Sequence, residues 1–304
     1  MRTVKALLKR NTKLFFKDKG MFFTSLITPA ILLVLYATFL SKVYKDSFMA
    51  ALPAGIPMAD ELINGCVGGQ LISSILAVSC VTVSFCSNML MVQDKANGSI
   101  RDITISPVKG SVLALGYYIS TLASTLIICL IAAVICLVYV ASIGWYMSLT
   151  DVILLLLDIF LLVMFGTALS SIINFFLSTQ GQISAVGSII SSCYGFICGA
   201  YMPISQFSVG LQRVLSFLPG TYGTSLVRNH AMRGVFEEMG NAGFPKEAID
   251  GIKDTVDSNL YFFGNKVETG TMYAILTVTV IVLVSVYIAM NVLRGKVGRE
   301  YRKL

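Results

Sequence analysis

The 304-residue chain is 56% hydrophobic and only 13% charged, with a mean hydropathy of +0.79. Soluble domains carry about a quarter charged residues, and one soluble core of this length needs far more charge on its surface. These numbers exclude a cytosolic enzyme, a secreted disulfide scaffold and a disordered regulator. The apolar residues fall in long blocks parted by short polar stretches, the pattern of a polytopic membrane protein.

The net charge is +7, and the basic residues gather at the two ends of the chain. Beside membrane spans such clusters set topology, so they are read that way and not as nucleic-acid contacts. The seven cysteines (Cys66, Cys80, Cys86, Cys129, Cys136, Cys193 and Cys198) lie in or at the edge of apolar blocks. With no CxxC pair and no Cys/His cluster, they read as packing residues, not as a metal or redox site.

In chain order, residues 1–20 are expected to form an interfacial amphipathic helix. Val4, Leu7, Leu8, Leu14 and Phe15 share one helical face, and Lys5, Lys9, Lys13 and Lys17 line the other. That arrangement places cations among anionic headgroups. No small-residue cleavage site accompanies this flank, so a cleaved signal peptide is not expected. Six spans are expected, at about 21–41, 66–92, 111–142, 152–177, 183–202 and 271–293. The third would be ~48 Å long as one straight helix, so it is expected to tilt, protrude or break. In the fifth, Gly187, Gly195 and Gly199 permit close helix approach, and Pro203 ends the helix.

Residues 203–270 form the least ordinary region. The segment 204–234 is only moderately apolar and is punctuated by Pro219 and Gly220. A re-entrant or interfacial hairpin fits it better than a seventh span. The acidic stretch that follows reads as extracellular, with FPKEAIDGIKDTVDSNL as a small amphipathic helix. The fold class expected is therefore all-α integral membrane, a single transmembrane domain over 1–304.

Six crossings put both termini on one side. With that side inside, the inner segments hold fifteen basic and four acidic residues, and the outer segments hold eight basic and eleven acidic. A net +11 against −3 points to cytoplasmic termini in the plasma membrane.

Catalytic machinery is thin. His230 is the only histidine, which excludes a multi-histidine metal site and leaves a histidine-centred triad little support. No GxxxxGK[ST] phosphate loop is present, so any ATP that drives this protein is hydrolysed on another chain. Asp158 is the one acid well inside a span. It serves either a polar translocation path or, the favoured reading, a structural pairing within the bundle.

The most specific stretch is the loop from Gln93 to Gly110. Asp94 precedes a Gly98-Ser99 turn, then Ile100, Arg101, Asp102 and Ile103, and Ser106-Pro107 lies ahead of span three. Ile100 and Ile103, three apart, make an apolar knob on one helical face, Gly98 eases the backbone at the loop entrance, and Pro107 stops the short helix. An acidic residue, Gly-Ser/Thr and Ser/Thr-Pro in this order resemble permeases of type-2 ATP-binding-cassette exporters. A second match runs from Gly199 to Pro203, through Leu218-Pro219-Gly220, to Arg228 and Gly234. It resembles that family's Gly-x-x-x-Pro, asparagine-Pro and Arg-x-x-x-x-x-Gly succession. Asp94 and Ser99 stand where glutamate and threonine are commoner, and Leu218 replaces the asparagine.

The resemblance implies a transport subunit and not an enzyme, moving an amphiphilic drug, antimicrobial peptide, lipid or lipid-linked glycan outward. It implies two copies of an ATP-binding subunit, which hold the ATP and Mg, and a second permease subunit, identical or paralogous. Residues 94–107 would dock the ATPase, with the basic leading helix beside them, and spans one, two and five would line the pathway. This chain itself is expected to bind no cofactor and no metal. The competing reading, an ion-coupled secondary transporter without an ATPase, calls for inverted repeats and more midplane polar groups than the sequence offers.

Overall fold

The computed structural model describes residues 2–51, 59–105 and 108–300. Helix α1 (Arg2–Lys17) is amphipathic as expected, with Leu7, Asn11 and Phe15 buried at helical spacing and the four lysines exposed. Asp18 ends it and caps α2 (Lys19–Leu35), its Oδ1 accepting the Met21 amide at 3.1 Å. A π-helical turn at Tyr36–Leu40 leads into α3 (Ser41–Ala51). Next come α4 (Asp60–Ala96), α5 (Ser99–Ile105), α6 (Gly110–Ile143), α7 (Leu149–Phe176) and α8 (Gln180–Ile197). Capping boxes open α7, through Ser148 and Asp151, and α8, through Thr179 and Gln182.

After a 3₁₀ turn at Ile204–Gln206 follow α9 (Val209–Leu215), α10 (Pro219–Asn241) and α11 (Lys246–Thr255). A two-stranded antiparallel hairpin, β1 (Leu260–Phe262) and β2 (Asn265–Val267), leads into α12 (Thr269–Glu300).

Five helical stretches among the described residues are long and apolar enough to cross a membrane: Lys19–Met49, Asp60–Ala96, Gly110–Ile143, Leu149–Phe176 and Thr269–Leu293. They match five of the six expected spans. The expected span 183–202 coincides with α8, which at 18 residues is ~27 Å long and carries Gln180, Gln182 and several serines. Helix α6 runs unbroken over 34 residues, so the break considered for span three does not occur.

The segment after Pro203 differs from expectation in one respect. Pro219 and Gly220 do not interrupt it. Pro219 occupies the first turn of the 23-residue α10, where its missing N–H is no loss, and the helix continues to Asn241. Residues 235–241, expected in the acidic outer stretch, therefore belong to this same helix. The expected amphipathic helix after it is α11, with Ala248, Ile249 and Ile252 buried.

Helix α4 is the axis of the molecule. Nearly every residue from Leu62 to Val92 is buried, and α2, α6, α7, α8 and α10 pack around it. A helix apolar or small on every face can be enclosed on all sides. Its serines and threonines bond back to carbonyls of the preceding turn, as Ser79, Thr82 and Ser84 do. Asn88 instead reaches Ser170 and Ser171 on α7 at 3.0 and 2.9 Å. Such interhelical bonds hold spans together where water cannot compete.

Candidate functional site

The sequence-selected residues gather in two places, one at the end of the bundle where α1 lies and one in the opposite half.

At the α1 end, Asp94 sits in the last turn of α4 and is buried. The Arg10 guanidinium grips it with both terminal nitrogens, at 2.7 and 2.9 Å, and the Tyr117 hydroxyl of α6 donates to it at 2.6 Å. A bidentate guanidinium–carboxylate pair fixes orientation as well as charge. The Asp94 carboxylate raises the Arg10 guanidinium above its ordinary value, so the pair stays ionised. Beside it the Asn11 amide donates to Ser120 of α6 at 3.1 Å. The neighbouring Lys95 ammonium bonds the carbonyls of Asn174, Phe175 and Leu177, which close the C-terminus of α7. Two consecutive residues of α4 thus fasten α1, α6 and α7 together.

Asp94 is therefore turned inward, and it does not present the outward docking carboxylate that the sequence suggested. Gly98 adopts φ +77°, the left-handed turn that separates α4 from α5. Ser99 begins α5. Ile100 packs inward against the cluster of Met91, Ala114, Tyr117 and Tyr118, so it does not share an outward knob with Ile103. Ile103 is half-buried, Asp102 is exposed, and Ile105 is 78% exposed. The backbone at Arg101 is helical, but its side chain lies outside the described residues, as does Pro107. A cleft of about 550 Å³ opens beside α5, walled by Arg10, Lys17, Asp18, Gln93, Asn97 and Ser99.

In the opposite half, Gly199, Pro203 and Arg228 converge. Gly199 takes φ +72° where α8 ends, and a side chain there would press on Ile204. Its carbonyl accepts from the fully buried Arg228 guanidinium at 2.9 Å, which also bonds the Val256 carbonyl and the Ser73 hydroxyl of α4. Asp257, 3.8 Å from that guanidinium, accepts the backbone amides of Ile204 and Ser205, the two residues after Pro203. The knot ties the end of α8, the 3₁₀ turn, α10 and the loop after α11 to the central helix. Sequence reasoning missed Asp257. The acidic composition of 235–270 hid one buried carboxylate among solvated ones.

Gly234, six residues after Arg228, faces the α6–α7 loop, where a Cβ would collide with the Tyr146 carbonyl oxygen. Next to it Arg233 pairs with the buried Asp151 of the α7 cap at 2.6 Å. Near the other end of α10, Gly220 lies against Tyr194 of α8 and Gly223 against Leu162, halfway along α7.

Asp158 has two partners inside the bundle. His230 Nδ1 of α10 lies 2.6 Å from one carboxylate oxygen, and the Tyr273 hydroxyl of α12 donates to the other at 2.5 Å. The sole histidine is thus not an isolated outer residue, and the three groups come together across 72 and 115 positions of sequence. They form a buried polar clasp of α7, α10 and α12. Nothing placed with them serves as a nucleophile. Among the described residues no group of histidine, cysteine and carboxylate side chains is arranged to hold a metal.

A family model described as ABC-2 type transporter matches residues 2–231. The chain belongs to that family. No curated protein matches it closely enough to count as a relative. The matched range takes in α1, the α4–α5 junction, the Gly199–Pro203 turn and α10 as far as His230. Both clusters of ABC-2 residues described above therefore lie within or against it. The chain is the membrane component of an ATP-binding-cassette transporter, the part without the ATPase site.

Proposed function

We propose that this ABC-2 permease is the membrane half of an exporter. It pairs with a second permease subunit, identical or paralogous, and is driven by two ATP-binding subunits that carry the ATP and Mg. The observation that carries this reading is the junction at Asp94. Helix α5, with Asp102 and Ile105 exposed, hangs from α4 by the Gly98 turn, and the last turn of α4 is locked to α1 through Arg10 and to α6 through Tyr117. A displacement of α5 by a closing ATPase reaches three helices through hydrogen bonds and ion pairs, without relying on soft apolar contacts.

The charge asymmetry puts the α1–α5 end in the cytoplasm and the α10–α11 end outside the plasma membrane. With that orientation, α8 is the fifth crossing and the segment 203–234 is re-entrant. The contacts of α10 support this: it starts level with Leu162 at mid-α7 and leaves beside Tyr146, at the α6–α7 loop. An amphiphilic substrate suits a route bounded by the exposed apolar faces of the first span and α8, among them Phe23, Ile27, Ile31, Ile189 and Phe196.

The test is ATP-driven transport and hydrolysis in vesicles that contain permease and ATPase. The paired change Asp102→Lys and Ile105→Asp removes one charge and one apolar group that touch nothing in the bundle. The variant is expected to insert normally and to lose transport, with hydrolysis no longer stimulated by substrate. Wild-type transport by this variant removes α5 from the coupling path.

A further inference from the structure

Between α10, α11 and the start of α12 lies a cavity of about 590 Å³, within the range of small-molecule sites. Its position is remote from α5, and no part of the ATP-coupling argument uses it. Phe236 and Ile249 supply apolar wall, and Arg233, Lys246 and Lys253 supply cations. Two acids also line it, but Glu237 and Asp250 are 67% and 59% exposed and sit at the rim. The charges that face inward are cationic. Arg233 is largely offset by Asp151 beneath it, and Lys253 is drawn over the Phe236 ring at 5.2 Å, 30% exposed. Lys246, at the first position of α11, makes no ion pair among the described residues.

His230 reaches this cavity too, and it is nine-tenths buried. Its Nδ1 is committed to Asp158, which the Tyr273 hydroxyl also serves. That leaves Nε2 without a partner among the described residues. A carboxylate held this way fixes the ring so that its second nitrogen stays available to a ligand. The lining thus offers a wall for hydrocarbon and two unsatisfied nitrogen groups, Lys246 and His230, with Lys253 beside them. The mouth adjoins Thr269, where α12 begins its passage through the bilayer.

We infer that this cavity is a binding site for the phosphate group of an anionic amphiphile. Lys246 and Lys253 hold the phosphate oxygens, His230 completes the cradle, and the attached hydrocarbon lies along Phe236 and Ile249. Oxyanions are bound by such convergent N–H donors at the edge of a low-dielectric wall. The occupant reaches it from the adjoining leaflet or, as a soluble phosphoester, from the aqueous side.

Trp145 is the chain's one tryptophan and precedes Tyr146, whose carbonyl abuts α10 at Gly234. It is a built-in reporter. The permease in phosphatidylcholine nanodiscs is titrated with lysophosphatidic acid and with monoacylglycerol of the same chain, which lacks only the phosphate. The expected result is a saturable change in Trp145 emission with the first and none with the second. Lys246→Gln with Lys253→Gln should weaken binding at least tenfold. Competition by inorganic phosphate identifies a free phosphate as sufficient, and failure to compete identifies the lipid-borne group as the ligand. Equal responses to the two lipids, or wild-type affinity in the double variant, overturns the inference. Lys246→Glu alone, at an exposed helix start, serves the same purpose if the double variant does not elute as folded protein.

Discussion

Single side chains do specific work in this permease because several charges lie where water cannot reach them. Arg228 is the extreme case: fully buried, with two carbonyls, a hydroxyl and Asp257 around its guanidinium. Removing one member of a buried charge pair costs about 3–5 kcal/mol, because the other is left uncompensated. Arg228→Gln should therefore leave little folded protein, measured as the monodisperse fraction after extraction. Arg228→Lys should not restore it, since an ammonium cannot span the Gly199 and Val256 carbonyls as a planar fork does. The Arg10–Asp94 pair is milder because Arg10 is about one-third exposed. A double-mutant cycle of Arg10→Gln and Asp94→Asn in thermal unfolding should give a coupling of about 1–2 kcal/mol. A value near zero would mean that α1 is held by its apolar face alone.

At the scale of elements, the apolar blocks of the sequence marked five helices well, because a span declares itself by about 20 residues without charge. Helix α10 escaped that reading. Thr221, Thr224, Ser225, Arg228, Asn229 and His230 make it polar, and its burial comes from α4 and α7 on either side, not from lipid. Pro219 was read as a break, although a proline in the first turn starts a helix as readily as it ends one. The close packing of α10 can be tested at its glycines. Gly234→Ala drives a methyl into the Tyr146 carbonyl and should cost about 1–3 kcal/mol. Gly240→Ala, with nothing within 4 Å, should be neutral or stabilising by about 0.5–1 kcal/mol. The melting temperatures of the two variants should move in opposite directions or differ clearly. Equal shifts would contradict the close approach.

Across the whole molecule, the legible part of the site was its location and the illegible part its direction. The order of Asp94, Gly98 and Ser99 marked the α4–α5 junction, yet nothing in the sequence showed that Asp94 and Ile100 turn inward. Their partners, Arg10 and Tyr117 among them, lie on other helices, and such pairings are set by packing and not by local spacing. The same holds for Asp158, whose clasp with His230 and Tyr273 joins three spans. Orientation in the membrane is open to direct measurement. In a cysteine-free background, Lys246→Cys should react with an impermeant thiol reagent in intact cells, and Asn97→Cys should react only after the membrane is opened. Labelling of Asn97→Cys from outside would invert the topology.

Docking and orientation are tested together by placing a photo-activatable amino acid at Asp102 or at Lys246, with the ATP-binding subunit co-expressed. A crosslink to the ATPase from position 102, strengthened when ATP is trapped, with none from position 246, is the expected result. Crosslinking from position 246, or none from 102 in a complex that still transports, would contradict the assignment of α5 as the surface through which ATP hydrolysis reaches the membrane.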